Sequence, residues 1–335
     1  MAPRHPGSAS FFAEAPFSIR RTRADWQTSR LAVLAEMAYV AATQRPDLLL
    51  AGHLNVLPSA VLGGLGRPRA ALVYGSELWA TQTRLVTRAL ASHVDLVVAI
   101  SRFTASEAIK AGFGPRRVAV LAPGGDEPCA NGTTEVLDRL GLTRDGQTLP
   151  FLLTVSRLSE THKGHDIVIR AMPALLKRHP ELRYVIAGDG VLADDLARLA
   201  DQVGVSHAVM ITPADRETKS SLLRACRAFV MVSRQSRNPP LFEGFGIAYI
   251  EAALAGRPSL AGASGGVEDA VVHEQTGLVV DPRSVSAVTA AALRLLDDPA
   301  LADSLGARGQ MRARADFTWE AACARIERSL ESMVR

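Results

Sequence analysis

Cysteine is scarce in this chain. Cys129, Cys226 and Cys323 are spread through 335 residues with no metal-ligand spacing between them. That excludes a disulfide scaffold and a zinc ribbon, and it fits a reducing, cytoplasmic setting. Long apolar runs are missing too: none reaches the roughly 18 residues needed to span a bilayer, and the N-terminus has no signal-type hydrophobic region. Aromatic residues make up only 5% and do not interleave with the basic ones, so a nucleic-acid surface is not expected. No Ser-His-Asp or Cys-His arrangement offers a protein nucleophile, and no His, Cys, Asp or Glu cluster offers a metal site.

Charge is uneven. Sixteen of the 38 Lys/Arg and twelve of the 34 Asp/Glu lie in residues 1–147, so the whole net charge of +4 resides there. A basic first half favours an anionic surface or a phosphorylated partner, and an Arg-rich composition explains it equally well.

What the chain has in quantity is alternation. Short, near-continuous apolar runs recur with helical periods between them: Leu48–Ala51, Ala70–Tyr74, Leu96–Ile100 and Val118–Leu121, with helices expected at 26–44, 56–64, 78–92 and 102–111. Runs of this kind are buried parallel strands. A stretch rich in Pro, Gly, Asn and Asp, Ala122–Pro150, reads as an interdomain connection. A second series follows: strands at 151–155, 184–187, 208–211, 229–232, 259–261 and 277–280, and helices at 165–178, 191–203, 215–226, 247–255, 284–296 and 300–314. The fold class is α/β, with two Rossmann-like doubly wound domains, 1–147 and 148–318, facing a cleft in which ligands bind at strand carboxyl ends.

The stretch Glu243-Gly244-Phe245-Gly246-Ile247-Ala248-Tyr249-Ile250-Glu251 sits where the strand at 228–232 gives way, through a polar loop, to a helix. Gly244 and Gly246 leave backbone N–H groups open at the positive end of that helix, which suits an anion. Glu243 and Glu251 bracket it, and both can accept from hydroxyls. Diphosphate in the middle, sugar at one end and ribose at the other would satisfy all three features. Arg157 and Lys163, at the mouth of another strand-to-helix loop, are a cation pair suited to neutralising a diphosphate. Gly188-Asp189-Gly190 and Thr212-Pro213-Ala214-Asp215 follow two further strands, and Asp215 equally suits a helix cap. In the first half, His53, Tyr74, Glu77 and Arg102 all follow strand ends.

Together, Ser156-Arg157-Leu158, Lys163-Gly164-His165-Asp166, Gly188-Asp189-Gly190, the two glutamates eight positions apart, Ser264-Gly265-Gly266 and Phe317-Thr318-Trp319 resemble the retaining glycosyltransferases of family 4, which have the GT-B fold. The resemblance covers roughly residues 30–335. It implies a hexosyl transfer from a UDP- or GDP-sugar to a glycan, a lipid-linked intermediate or a small natural product, without metal or other cofactor. Arg157 and Lys163 would hold the diphosphate and stabilise the departing charge. Glu243, with the backbone of Gly244, Phe245, Gly246 and Ile247, would hold the sugar and distal phosphate. Glu251 would hold the ribose, with Gly188, Asp189 and Pro213 completing the donor side. His53, Tyr74, Glu77 and Arg102 would face the acceptor, and a last helix, 319–335, would cross back onto the first domain.

Two departures accompany the resemblance. The family's opening strand and Gly-rich loop have no counterpart ahead of Arg20, so the N-terminal sheet is expected to be incomplete. The family's cleft His-Gly-x-Glu is replaced by Tyr74-Gly75-Ser76-Glu77, and a phenol cannot accept a proton near neutral pH as imidazole does. Both motivate an alternative, a catalytically impaired sugar-nucleotide-binding protein of the same fold. Peripheral contact with a membrane is expected from the basic first half.

Overall fold

The computed structural model describes residues 30–64, 66–79, 88–129, 133–237 and 240–334. Arg20 and the start of the expected helix at 26–44 lie outside them. The first domain opens with α1 (Arg30–Thr43), followed by β1 (Leu49–Ala51), α2 (Leu57–Gly63), β2 (Arg69–Val73), β3 (Leu96–Ala99), α3 (Arg102–Lys110) and β4 (Val118–Val120). Its four described strands are parallel and ordered β1-β2-β3-β4. The apolar runs end within one residue of the strands they imply. Most of the helix expected at 78–92 lies outside the described residues.

The stretch read as a connection is more than that. It contains α4 (Thr133–Arg139) and a two-residue hairpin, β5 (Thr143–Arg144) with β6 (Gln147–Thr148). Leu137 of α4 and Leu142 are fully buried among Phe151, Leu153 and Leu222. Residues 133–148 therefore pack into the second domain's core, and the first domain's own core ends well before 147.

The second domain continues with β7 (Phe151–Val155), α5 (His165–Arg178), β8 (Arg183–Ala187), α6 (Ala193–Gln202), β9 (Val209–Thr212), α7 (Arg216–Ala225) and β10 (Ala228–Met231). After a short hairpin, β11 (Ser236–Arg237) with β12 (Pro240–Leu241), come α8 (Ile247–Leu254), β13 (Ser259–Gly262), α9 (Val267–Ala270), β14 (Gly277–Val280), α10 (Val285–Asp297), α11 (Pro299–Asp316) and α12 (Trp319–Val334). The sheet is parallel throughout, in the order β14-β13-β10-β7-β8-β9. The chain starts in the middle at β7, winds out to β9, then returns to β10 on the other side of β7. The crevice above the β7–β10 boundary is the topological switch point, where open α/β sheets bind ligands.

Burial alternates with the two-residue strand period. Leu152, Tyr184 and Val230 face α5, α6 and α10, whereas Leu153, Val185 and Phe229 face α7 and α8. Both faces are covered, which is why these strands read as unbroken apolar runs.

The two domains meet beside the switch point. The Phe242 ring lies 4.4 Å from Trp79 and 4.9 Å from Phe103 of the first domain. A second junction lies where the chain crosses twice. Gly125 donates to the Phe317 carbonyl at 2.9 Å and pairs with Thr318, and the Trp319 indole donates to Asp126 at 2.9 Å.

Candidate active site

Each side chain at the switch point is placed by a strand end or a helix start. Arg157 follows β7; Lys163 ends a single helical turn just before α5. Glu243 comes from the loop after β10. The Lys163 ammonium donates to Glu243 Oε2 at 2.8 Å, and the Ser233 hydroxyl donates to the same oxygen at 3.1 Å. Glu243 is only 8% exposed, so its ionised carboxylate requires these partners. The Arg157 side chain is exposed and, among the described residues, has no hydrogen bond or ion pair of its own. It is a free cation at the mouth of the site. A cavity of about 110 Å³ joins Arg157, Lys163, Glu243, Gly246 and Ile247.

Gly246 shapes the turn into α8. It caps α8 with φ +92°, and a Cβ there would stand 2.4 Å from the Tyr249 ring. No side chain caps the helix, which leaves the amides of Ile247 and Ala248, two residues that line the cavity, without an intrahelical partner. The Gly246 turn is held from below: the Tyr249 hydroxyl donates to the Met231 carbonyl, and the Gly266 amide donates to the Glu243 carbonyl at 2.8 Å. The Ser264–Gly266 loop thus braces the glutamate from behind. Phe245 is buried against Phe317, ring centroids 5.5 Å apart, so only its backbone is available to a ligand.

Glu251 lies further along α8, 7% exposed, and its Oε1 accepts from Lys219 of α7 at 2.6 Å. Burial raises its pKa; Lys219 pulls the other way, and the charge of nearby Asp126 adds to the rise. Gly188, Asp189 and Pro213 follow β8 and β9 on the same edge of the sheet. The Asp189 carbonyl accepts from the Leu158 amide at 2.8 Å and so braces the Arg157 loop. Asp215 caps α7, accepting from the Thr218 amide at 2.8 Å, which lowers its pKa.

Across the cleft, His53 and Tyr74 stack at 6.1 Å with 24° between their planes, at the ends of β1 and β2. Glu77 accepts from the Tyr74 amide at 2.5 Å; burial, then Glu77, raises the phenol's pKa. The structure therefore brings His53, Tyr74 and Glu77 together opposite the donor loop. Arg102 is elsewhere engaged: its amide and Nε each contact Asp269 of the second domain at 2.5 Å.

Sequence reasoning missed Ser233, Lys219 and Asp126. The loop after β10 also supplies Arg234, which donates to Asp166 at 2.8 Å. Its place directly after a switch-point strand was the available signal. Among the described residues no group of His, Cys, Asp and Glu is arranged to hold a metal, and no helix is long and apolar enough to cross a membrane.

Known proteins resemble this chain in sequence and in fold. Residues 144–312 match the family model described as glycosyl transferases group 1. A GDP-mannose-dependent alpha-(1-6)-phosphatidylinositol monomannoside mannosyltransferase of Mycolicibacterium smegmatis is 33% identical over 285 residues, 80% of this chain and 72% of that protein. The monoacylated-substrate counterpart from Corynebacterium glutamicum is 30% identical over 76% of this chain and 66% of its own length. Among solved structures, Anabaena HepE in complex with UDP and glucose aligns with a TM-score of 0.77 at 20% identity, over 93% of this chain and 84% of that one.

Proposed function

The chain belongs to the glycosyl transferases of group 1, family 4, and is a glycosyltransferase of the GT-B fold; on that premise we propose that it moves a mannosyl group from GDP-mannose, with retention, to a lipid-linked glycan acceptor. The observation that carries the donor site is the Lys163–Glu243 pair beside the uncapped start of α8. The donor and acceptor classes are supported by the activities of the two related mannosyltransferases.

In this reading the diphosphate sits on the Gly246 turn between Arg157 and Lys163. The bond from the anomeric carbon to the phosphate oxygen breaks as the acceptor hydroxyl attacks on the same face. The hydroxyl proton passes to the departing phosphate, so no protein base is needed. Arg157 and Lys163 stabilise the growing negative charge, and fixed cations in such a place are worth about 10²–10³ in rate. Glu243 accepts from sugar hydroxyls and Glu251 from the ribose. The stacked His53 and Tyr74 offer an aromatic surface to the acceptor sugar. Exposed Tyr39 and Leu62 on α1 and α2, in the half that carries the net positive charge, support peripheral contact with an anionic membrane.

The test is a transfer assay with GDP-mannose, GDP-glucose and UDP-glucose, with an inositol phospholipid glycan in anionic vesicles and with EDTA present. An α-linked mannoside, made only from GDP-mannose and undiminished by EDTA, is the expected product. Transfer from UDP-glucose alone would overturn the donor assignment. A β-linked product would overturn retention, and a requirement for vesicle-free acceptor would remove the membrane contact.

A further inference from the structure

We propose that Lys219 is a positioning residue of the donor site: it fixes the Glu251 carboxylate so that its unused lone pairs meet the ribose hydroxyls of the nucleotide. The inference rests on the assignment of Glu251 to the ribose and extends it to a residue that no motif of the sequence marks.

The geometry has three parts. First, the backbone of Lys219 is held. It lies in the opening turn of α7, whose start is capped by Asp215, and its amide donates to the Asp215 carbonyl at 2.9 Å. Its neighbours Thr218, Ser220 and Ser221 are buried. Second, the contact is close and largely shielded, 2.6 Å between side chains 23% and 9% exposed. An ion pair this sheltered from water is directional in a way that a solvated surface pair is not. Third, Glu251 sits against the interdomain junction: a Cβ on Gly125 would stand 3.4 Å from the Glu251 amide. Asp126, the next residue, accepts from the Trp319 indole at 2.9 Å. A carboxylate has about four lone-pair directions. One is taken by Lys219, and those that remain suit the hydroxyls of a ribose.

Removing the ammonium would do two things. The carboxylate would lose its fixed rotamer, and burial, which already raises the Glu251 pKa, would favour a neutral acid, a poorer acceptor. A merely structural Lys219 would instead support the fold and leave ribose recognition alone. The two roles separate in one ratio: the affinity for GDP against that for 2′,3′-dideoxy-GDP, which lacks the hydroxyls.

The experiment measures both dissociation constants by calorimetry on the full chain, for the wild type and for Lys219→Met, Lys219→Arg and Glu251→Ala. Hydrogen bonds to a charged group set the expected wild-type preference for GDP at roughly 10–100-fold. That preference should collapse in Lys219→Met, chiefly through weaker GDP binding, and persist in Lys219→Arg. Should Lys219→Met not fold, Lys219→Gln removes the charge while keeping a donor, and the same collapse is expected. If Glu251→Ala abolishes the preference but the neutral Lys219 variants keep it, the inference is overturned and the ribose assignment stands. If the wild type shows no preference, or Glu251→Ala leaves it unchanged, the ribose assignment itself fails and the inference with it.

Discussion

At the scale of single residues, burial decides which groups carry charge. His165 opens α5 and is 3% exposed, with Nε2 2.9 Å from the Ser156 hydroxyl and Nδ1 3.4 Å from the Tyr184 hydroxyl. Burial pushes its imidazole down to about 4, with Lys163 adding to the effect and Asp166 opposing it. The unfolded chain takes up a proton near the ordinary value of about 6.5, whereas the folded chain resists until about pH 4. The stability this group contributes is therefore complete above about pH 6.5 and is lost as pH falls through 4. Denaturant unfolding should show a decline on the order of 3 kcal/mol across that window. His165→Gln should flatten it, and an unchanged pH profile in that variant would contradict the assignment.

The same scale shows why some site residues are legible in sequence and others are not. Arg157 and Lys163 stand in a strand-to-helix loop, where a cation pair has few structural uses. Lys219 sits in the first turns of a polar helix, where a lysine ordinarily faces water. Only the tertiary fold brings it to Glu251, 32 positions away. Asp126 is hidden for a related reason: its place beside Glu251 comes from the chain crossing at Gly125, which no residue type announces. Phe245 is the converse case, inside the motif by position yet occupied with the core.

At the scale of elements, the strands were readable because both faces of each sheet are covered, which forces continuous apolar runs. Helix α4 and the hairpin β5–β6 were not. A seven-residue helix flanked by Gly, Pro and Asp has too short a period to stand out, and its burial depends on a domain later in the chain. The element on which the proposed donor site depends is the turn into α8. Gly246→Ala places a Cβ against the Tyr249 ring at a φ of +92°, and left-handed backbone costs an alanine roughly 1–2 kcal/mol. Relief of the clash must move either the ring, whose hydroxyl holds the Met231 carbonyl, or the N–H groups of the anion hole. Thermal melting should show the loss of stability, and GDP binding should weaken with it. A variant that melts lower yet binds GDP as the wild type does would show that the turn is not part of the donor site.

At the scale of the whole molecule, the switch point of the second sheet holds the proposed donor residues, the first domain presents His53, Tyr74 and Glu77 across from them, and the two chain crossings meet next to Glu251. Trp319 binding Asp126, and Gly125 packed against the backbone of Glu251, put the interdomain junction next to the proposed ribose site. The doubly wound architecture was legible in the alternation of strands and helices. The exact seam between the domains was not, because residues 133–148 belong to the second core although they precede its first strand.

The central claim is that Lys163 and the Gly246 turn form a diphosphate site. Titration calorimetry of GDP and of GMP against the wild type and Lys163→Ala tests it most directly. A cation that meets the β-phosphate contributes to GDP binding and little to GMP binding, so the substitution should weaken GDP by at least about tenfold, the loss of one charge-assisted hydrogen bond, and leave GMP nearly unchanged. Equal losses for the two nucleotides, or none for either, would contradict it.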